Sequence, residues 1–220
     1  MILPGNWRKL VFKILNYRDF SQKELYFGIT LGYNTSKFKV KHSQQFNYHD
    51  SINVLNSSYG PGFNLGIISN LKLGKYFDLR FTPALSFAEK NLDYRLIEDQ
   101  TAKRTIESIY LNFPLTVRYK SDPVQDMRVY VLGGVKYGLD LASNAEARKA
   151  DSQVKVGRHN ISAEFGGGLQ FFFPLFIFSP EIKISHGLLN VHARDRNLQY
   201  SNVIDKLFTR TILISLHFEG

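Results

Sequence analysis

The chain has 220 residues, 28 Lys plus Arg against 19 Asp plus Glu, and therefore a formal charge of +9; this length suits one domain, two at most. Hydrophobic residues make up 44% of it, which excludes intrinsic disorder, and the lack of cysteine excludes disulfide scaffolds, thiolate catalysis and cysteine-ligated metals. The mean hydropathy of −0.20 is that of a soluble protein, but an average is blind to alternation.

No segment has the roughly 20 consecutive apolar residues of a membrane-spanning helix; the longest apolar run, residues 171–178, is broken by Pro174. The N-terminus, MILPGNWRKLVFKILNY, lacks an adequate apolar core followed by a small-residue cleavage site. Either the chain stays inside, or its export signal was removed or lies upstream of this start; the strand pattern that follows favours the second.

From Leu25 onward the sequence is organised by a period of two, the signature of β-strands with unlike faces. Leu25, Phe27, Ile29, Leu31 and Tyr33 alternate with Tyr26, Gly28, Thr30, Gly32 and Asn34. Phe63, Leu65 and Ile67 form the second bulky row, and Phe77, Leu79, Phe81, Pro83, Leu85 and Phe87 the third. Bulky rows recur at 109–119, 129–139, 161–171, 176–184 and 212–218, giving eight predicted strands. Long polar connections are expected at Ser36–Tyr59, Glu89–Thr105, Ala142–His159 and Asn190–Lys206, and short links around Leu73–Tyr76, Ser121–Pro123 and Phe173–Leu175. An even strand count with long and short connections sorted to opposite ends predicts an all-β, eight-stranded antiparallel up-and-down transmembrane barrel with four long extracellular loops and short periplasmic turns. Residues 1–24 are then an N-terminal periplasmic segment and residues 25–220 the outer-membrane barrel domain. The basic stretch Asn6–Lys23 is expected to dock periplasmic partners.

Charge decides which face meets lipid. The bulky rows contain no Asp, Glu, Lys or Arg, whereas the small rows carry Asp78, Arg80, Arg118, Lys136, Asp140, Glu164, Glu181 and Lys183. A Lys or Arg facing lipid near mid-depth costs about 2–4 kcal/mol, while acids and bases turned inward can pair. The lumen of eight strands has room for packed side chains or one small ligand, so the bulky rows belong outside. Aromatic girdles are expected from Tyr26, Tyr76, Phe77, Tyr119, Tyr130, Phe171, Phe173, Phe176 and Phe218 at the short-turn end. Tyr33, Phe87, Tyr94 and Tyr137 are expected at the other end.

Several segments carry a family resemblance: Gly60-Pro61-Gly62-Phe63-Asn64-Leu65-Gly66-Ile67, running on through Leu73-Gly74-Lys75-Tyr76-Phe77-Asp78-Leu79-Arg80-Phe81-Thr82-Pro83; Tyr110-Leu111-Asn112-Phe113-Pro114-Leu115; Gly133-Gly134-Val135-Lys136-Tyr137; and Pro180-Glu181-Ile182-Lys183. Together they resemble the PorT family of small outer-membrane barrels of the Bacteroidota, over about Leu25 to Phe218. The resemblance implies a non-enzymatic accessory component of the type IX secretion system, needed for protein export and gliding motility rather than serving as the translocation pore. The implied partners are outer-membrane lipid, lipopolysaccharide and other secretion components. One departure is that Phe218 is followed by Glu219 and Gly220, whereas many outer-membrane barrels end in an aromatic residue.

The remaining polar groups hold few candidates for chemistry. His159, Ser162 and Glu164 suggest a hydrolase, but side chains three apart on a strand lie on opposite faces, so His159 cannot serve Ser162 without a bulge. His42, His49 and Asp50 lack a third spaced metal ligand. Gly166-Gly167-Gly168 has no following Lys-Ser/Thr and so is not a phosphate loop; strand bending or a large lumen neighbour explains it better. The basic residues Arg8, Lys9, Lys13, Lys37, Lys39, Lys41, Arg148, Lys149, Lys155 and Arg158 are scattered over loops and tails, which disfavours a nucleic-acid groove. No catalytic, metal or cofactor-binding residue, no cofactor and no small-molecule substrate are expected. A lipid-modifying barrel enzyme and a surface adhesin acting through its loops are the competing readings.

Overall fold

Strands follow the period-two segments from one end of the chain to the other. The computed structural model describes residues 23–42, 52–96, 101–142, 157–192 and 204–220. Nine strands are formed: β1 (Leu25–His42), β2 (Ile52–Lys72), β3 (Phe77–Phe81), β4 (Ala84–Leu96), β5 (Thr101–Lys120), β6 (Met127–Asp140), β7 (His159–Phe172), β8 (Ile177–Gly187) and β9 (Ile204–Glu219). Every pairing between them is antiparallel, and β1 pairs with both β2 and β9, which closes the sheet.

The ring has eight members because β3 and β4 are one spanning strand interrupted at Thr82-Pro83. Pro83 has no N–H to donate to the ladder, yet the register of β5 continues past it unchanged, with Phe81 opposite Leu115 and Ala84 opposite Asn112. The Pro83 carbonyl still accepts from the Ile67 amide at 3.0 Å. Gly28 lies opposite Glu219, so the start of β1 and the end of β9 share the short-turn end of the barrel.

The turns at that end are tight. Gly74 has φ of +135° in the β2–β3 turn, a backbone conformation that side-chain-bearing residues rarely adopt. Lys75 of that turn reaches Asp122 of the neighbouring β5–β6 turn at 2.7 Å. The lysine's hydrogen bond holds the Asp122 carboxyl below its ordinary range. Both groups are exposed, so the pair contributes little to stability.

Two of the expected long loops prove to be largely strand. β1 runs to His42 and β2 begins at Ile52; β4 runs to Leu96 and β5 begins at Thr101. A barrel strand needs about 9–11 residues to cross the membrane, so β1 with 18, β2 with 21 and β5 with 20 continue well past it as hairpin arms. Lipid stops dictating apolar alternation at the membrane boundary, but cross-strand pairing goes on, and residues such as Ile52, Val54, Thr101 and Thr105 suit it. The rest of those connections, most of 142–159 and 190–206, and the N-terminal segment 1–22 lie outside the described residues, as do His49 and Asp50.

The faces follow the charge argument. Phe27, Ile29, Tyr33, Phe63, Ile67, Val131, Phe165 and Ile214 are exposed on the outer wall, while Asp78, Arg80, Arg118, Glu164 and Glu181 are buried in the lumen. Girdle aromatics at the short-turn end pack as tilted pairs, as in Phe77–Tyr119 at 5.2 Å and Phe178–Phe218 at 5.4 Å between ring centroids. Toward the other end Phe63 stacks on Phe87 at 4.4 Å. Tyr26 and Tyr130 depart from the girdle expectation. Both are buried, because they stand in phase with the small rows, and each gives its hydroxyl proton to a lumen carboxylate.

Candidate functional site

The lumen is filled by layers of paired charges. Nearest the short-turn end, Asp78 is ion-paired with Lys120 and accepts from the Tyr26 hydroxyl at 3.4 Å. Tyr26, Phe172 and Ile177 make a small apolar floor around them.

In the next layer Arg80 Nη2 lies 2.6 Å from Glu219 Oε2, and Arg80 Nε donates to Asn70 Oδ1 at 3.0 Å. Arg118 covers the Tyr130 ring at 3.7 Å from its centroid, and the Tyr130 hydroxyl donates to Glu181 at 2.9 Å. This layer accounts for the residues after Phe218: Glu219 turns inward to hold Arg80. The glycines of β7 serve it too. A Cβ on Gly168 would stand 2.5 Å from the Pro180 carbonyl and 2.6 Å from the Tyr130 hydroxyl. Gly168 thus makes room for a large lumen neighbour and for close approach of β8.

Above it, Lys183 Nζ sits between Glu164 at 3.2 Å and Glu181 at 3.7 Å, and Lys136 reaches the other Glu164 oxygen at 3.2 Å. His217 Nε2 lies 3.4 Å from Glu181. Toward the extracellular mouth the lining becomes amides and hydroxyls. Ser86 Oγ donates to Asn64 Oδ1, and Asn160 Nδ2 to Thr209 Oγ1, each at 2.8 Å. Lys90 Nζ, fully buried, donates to the Tyr110 hydroxyl at 3.2 Å and faces the Phe38 ring at 5.3 Å. Val191 and Leu207 are buried at this mouth, joined by a 2.9 Å backbone hydrogen bond.

Between these layers lies a cavity of about 30 Å³ lined by Lys90, Lys136, Lys183 and Glu164 among others. That is space for about one water molecule, far below the 300–1,000 Å³ of a typical small-molecule site. Among the described residues the middle of the lumen is filled by side chains.

All eight charged residues assigned to the lumen from sequence are there or at its edge. Lys90, Lys120, Arg128 and Glu219 are also buried, although they lie outside the charged set assigned to the lumen from sequence. Each continues the inward phase of its strand by one step beyond where the apolar alternation stops, and extending the phase would have found them. Of the hydrolase candidates, His159 is exposed and 2.7 Å from the Tyr137 hydroxyl on the outer wall, while Ser162 and Glu164 are buried inside. The barrel wall separates His159 from Ser162. His42 ends β1, and no cluster of three or more potential metal ligands occurs among the described residues.

The chain is similar to Ail, the attachment invasion locus protein of Yersinia pestis, solved in complex with the heparin analogue sucrose octasulfate. The identity is 15%, covering 90% of this chain and 100% of that one, with a TM-score of 0.39. It is similar to the outer membrane protein OprG from Pseudomonas aeruginosa at 13% identity, 89% and 92% coverage and a TM-score of 0.47. No curated protein sequence matches it. The family described as outer membrane protein beta-barrel domain matches residues 20–193. With its lipid-facing wall, ionic lumen and that match, the chain belongs to the outer membrane protein beta-barrel domain family and is an integral outer-membrane protein.

Proposed function

We propose that this chain is a non-enzymatic outer-membrane component required for protein export by the type IX secretion system, acting in the assembly or operation of the secretion and gliding machinery. The observation that carries the reading is the lumen filled with paired charges. Side chains so packed, around a cavity of about 30 Å³, leave no open passage among the described residues for a polypeptide, and the reading therefore assigns the protein's role to contacts made by its outer surfaces. The segments around Gly60–Pro83, Tyr110–Leu115 and Pro180–Lys183, which resemble the PorT family, supply the secretion context. The partners in this reading are other type IX secretion components and lipopolysaccharide, with no cofactor, nucleic acid or small-molecule substrate.

Deleting the gene tests the proposal. C-terminally sorted cargo is expected to accumulate in the periplasm of the deletion strain, as read by immunoblots of periplasmic and culture fractions. Reintroducing a Ser162→Ala variant is expected to restore export fully, since the serine has no catalytic part. Normal cargo release by the deletion strain would overturn the export role. Failure of Ser162→Ala to restore export, with the barrel inserted, would point to an enzyme instead.

A further inference from the structure

On the outer wall the extracellular edge of the apolar belt is charged asymmetrically. On β1, Lys37 and Lys39 alternate with the buried Ser36 and Phe38 and so face outward. β9 places Arg210 directly opposite Lys37 and Phe208 opposite Lys39, and β8 places His186 opposite Arg210. Lys206, four residues before Arg210, is exposed as well. Lys37 Nζ stands 4.5 Å above the Tyr59 ring; among the described residues none of Lys37, Lys39, Lys206 and Arg210 forms an ion pair. Around the ring, past Tyr59, the same height carries the opposite sign: Glu89 on β4 stands opposite Glu107 on β5, both outward.

Like charges placed directly across a β-ladder disfavour each other. Both the Lys37–Arg210 and the Glu89–Glu107 pairs are of this kind, and what lies beneath the basic one distinguishes it. Four residues down the same strands, roughly 13 Å along the ladder, Tyr33 faces Ile214. There a groove of about 520 Å³ opens on the outer wall, lined by Leu31, Tyr33, Phe63, Leu65, Ile214 and Leu216. A cationic row directly above an apolar slot matches one class of molecule, an amphiphile with an anionic head and acyl tails.

We infer that Lys37, Lys39, Lys206 and Arg210 bind the phosphates of the outer leaflet's phosphorylated glycolipid, with one of its acyl chains seated in the groove across β9, β1 and β2. The Glu89–Glu107 side repels the same phosphates, so the barrel binds this lipid on one face and presents the other to different neighbours. The inference specifies the lipopolysaccharide contact of the proposed function but rests only on the membrane placement. It is tested on the isolated protein, so it and the export role fail separately.

The test uses the full chain in detergent micelles, titrated with bisphosphorylated lipid A, with bound lipid counted by native mass spectrometry. A cation near an anionic lipid surface contributes roughly a fivefold change in affinity, so Lys37→Gln with Arg210→Gln is expected to weaken retention about thirtyfold. The charge-preserving pair Lys37→Arg with Arg210→Lys is expected to retain most of the affinity, and Glu107→Gln to lose none. Wild-type protein is expected to hold phosphate-free lipid A as weakly as the double glutamine variant holds the intact lipid. Equal retention of phosphorylated and phosphate-free lipid, or intact binding by the double glutamine variant, would overturn the inference. So would heparin binding that requires Lys37 and Arg210 while lipid A binding does not, which would assign the row to a soluble acidic polysaccharide.

Discussion

Replacing Arg80 with methionine is expected to destabilise the barrel by about 3–5 kcal/mol, the cost typical of leaving one member of a buried ion pair uncompensated. Arg80 and Glu219 are both buried, 2.6 Å apart, and no other described ion pair holds Glu219. The single variant strands that carboxylate in the lumen. The double variant Arg80→Met with Glu219→Met removes both charges and is expected to recover most of the loss, since well-packed apolar replacements of a buried pair are often neutral or better. Denaturant titration of the refolded protein in micelles, followed by circular dichroism, measures both. If Arg80→Met is as stable as the parent, the lumen pairs are incidental to the fold.

The second large effect lies on the opposite side of the wall. Ile67 is 62% exposed and pairs with Ile29 in the middle of the apolar belt. Ile67→Arg is expected to lose about 2–4 kcal/mol of folding stability in a bilayer, because the guanidinium is forced into hydrocarbon near mid-depth. Were this face in water, the substitution would stay within about 0.5 kcal/mol, as ordinary surface changes do. Equilibrium unfolding from lipid vesicles distinguishes the two. The pair of experiments is deliberately reciprocal: removing a charge from inside and adding one outside are both costly only if the lumen is the ionic side.

The faces and the strand count were legible in the sequence because lipid and lumen impose opposite demands at every second residue. The row of Phe77, Leu79, Phe81, Pro83, Leu85 and Phe87 carries no charge, while Asp78 and Arg80 stand in the alternate phase, and that contrast assigns the faces. The signal weakened where one of those demands lapses. Beyond the membrane boundary nothing requires apolar residues, so the arms of β1, β2, β4 and β5 read as polar loops. Tyr26 and Tyr130 look like interfacial aromatics by type, and only their phase shows that they are lumen residues with hydroxyls aimed at Asp78 and Glu181. Lys90 resembled a loop lysine for the same reason, although it completes the inward row of Ala84, Ser86 and Ala88. Glu219 looked like an interruption of the C-terminal signal until its partner, 139 residues earlier in the chain, came into view. The interior pairings join distant strands, and no local pattern announces them. The basic row of Lys37 and Arg210 is visible only in part: Lys37 and Lys39 read as loop cations, but the register with β9 is what assembles the row.

The orientation of the two faces is tested most directly by fluorescence quenching from brominated acyl chains. In a background with Trp7, the single tryptophan, changed to phenylalanine, Ile67→Trp and Tyr130→Trp each report one side of the wall. Ile67→Trp is expected to be strongly quenched by bromine in the lipid tails and Tyr130→Trp to be unaffected. Strong quenching at position 130 with none at position 67 would contradict the account.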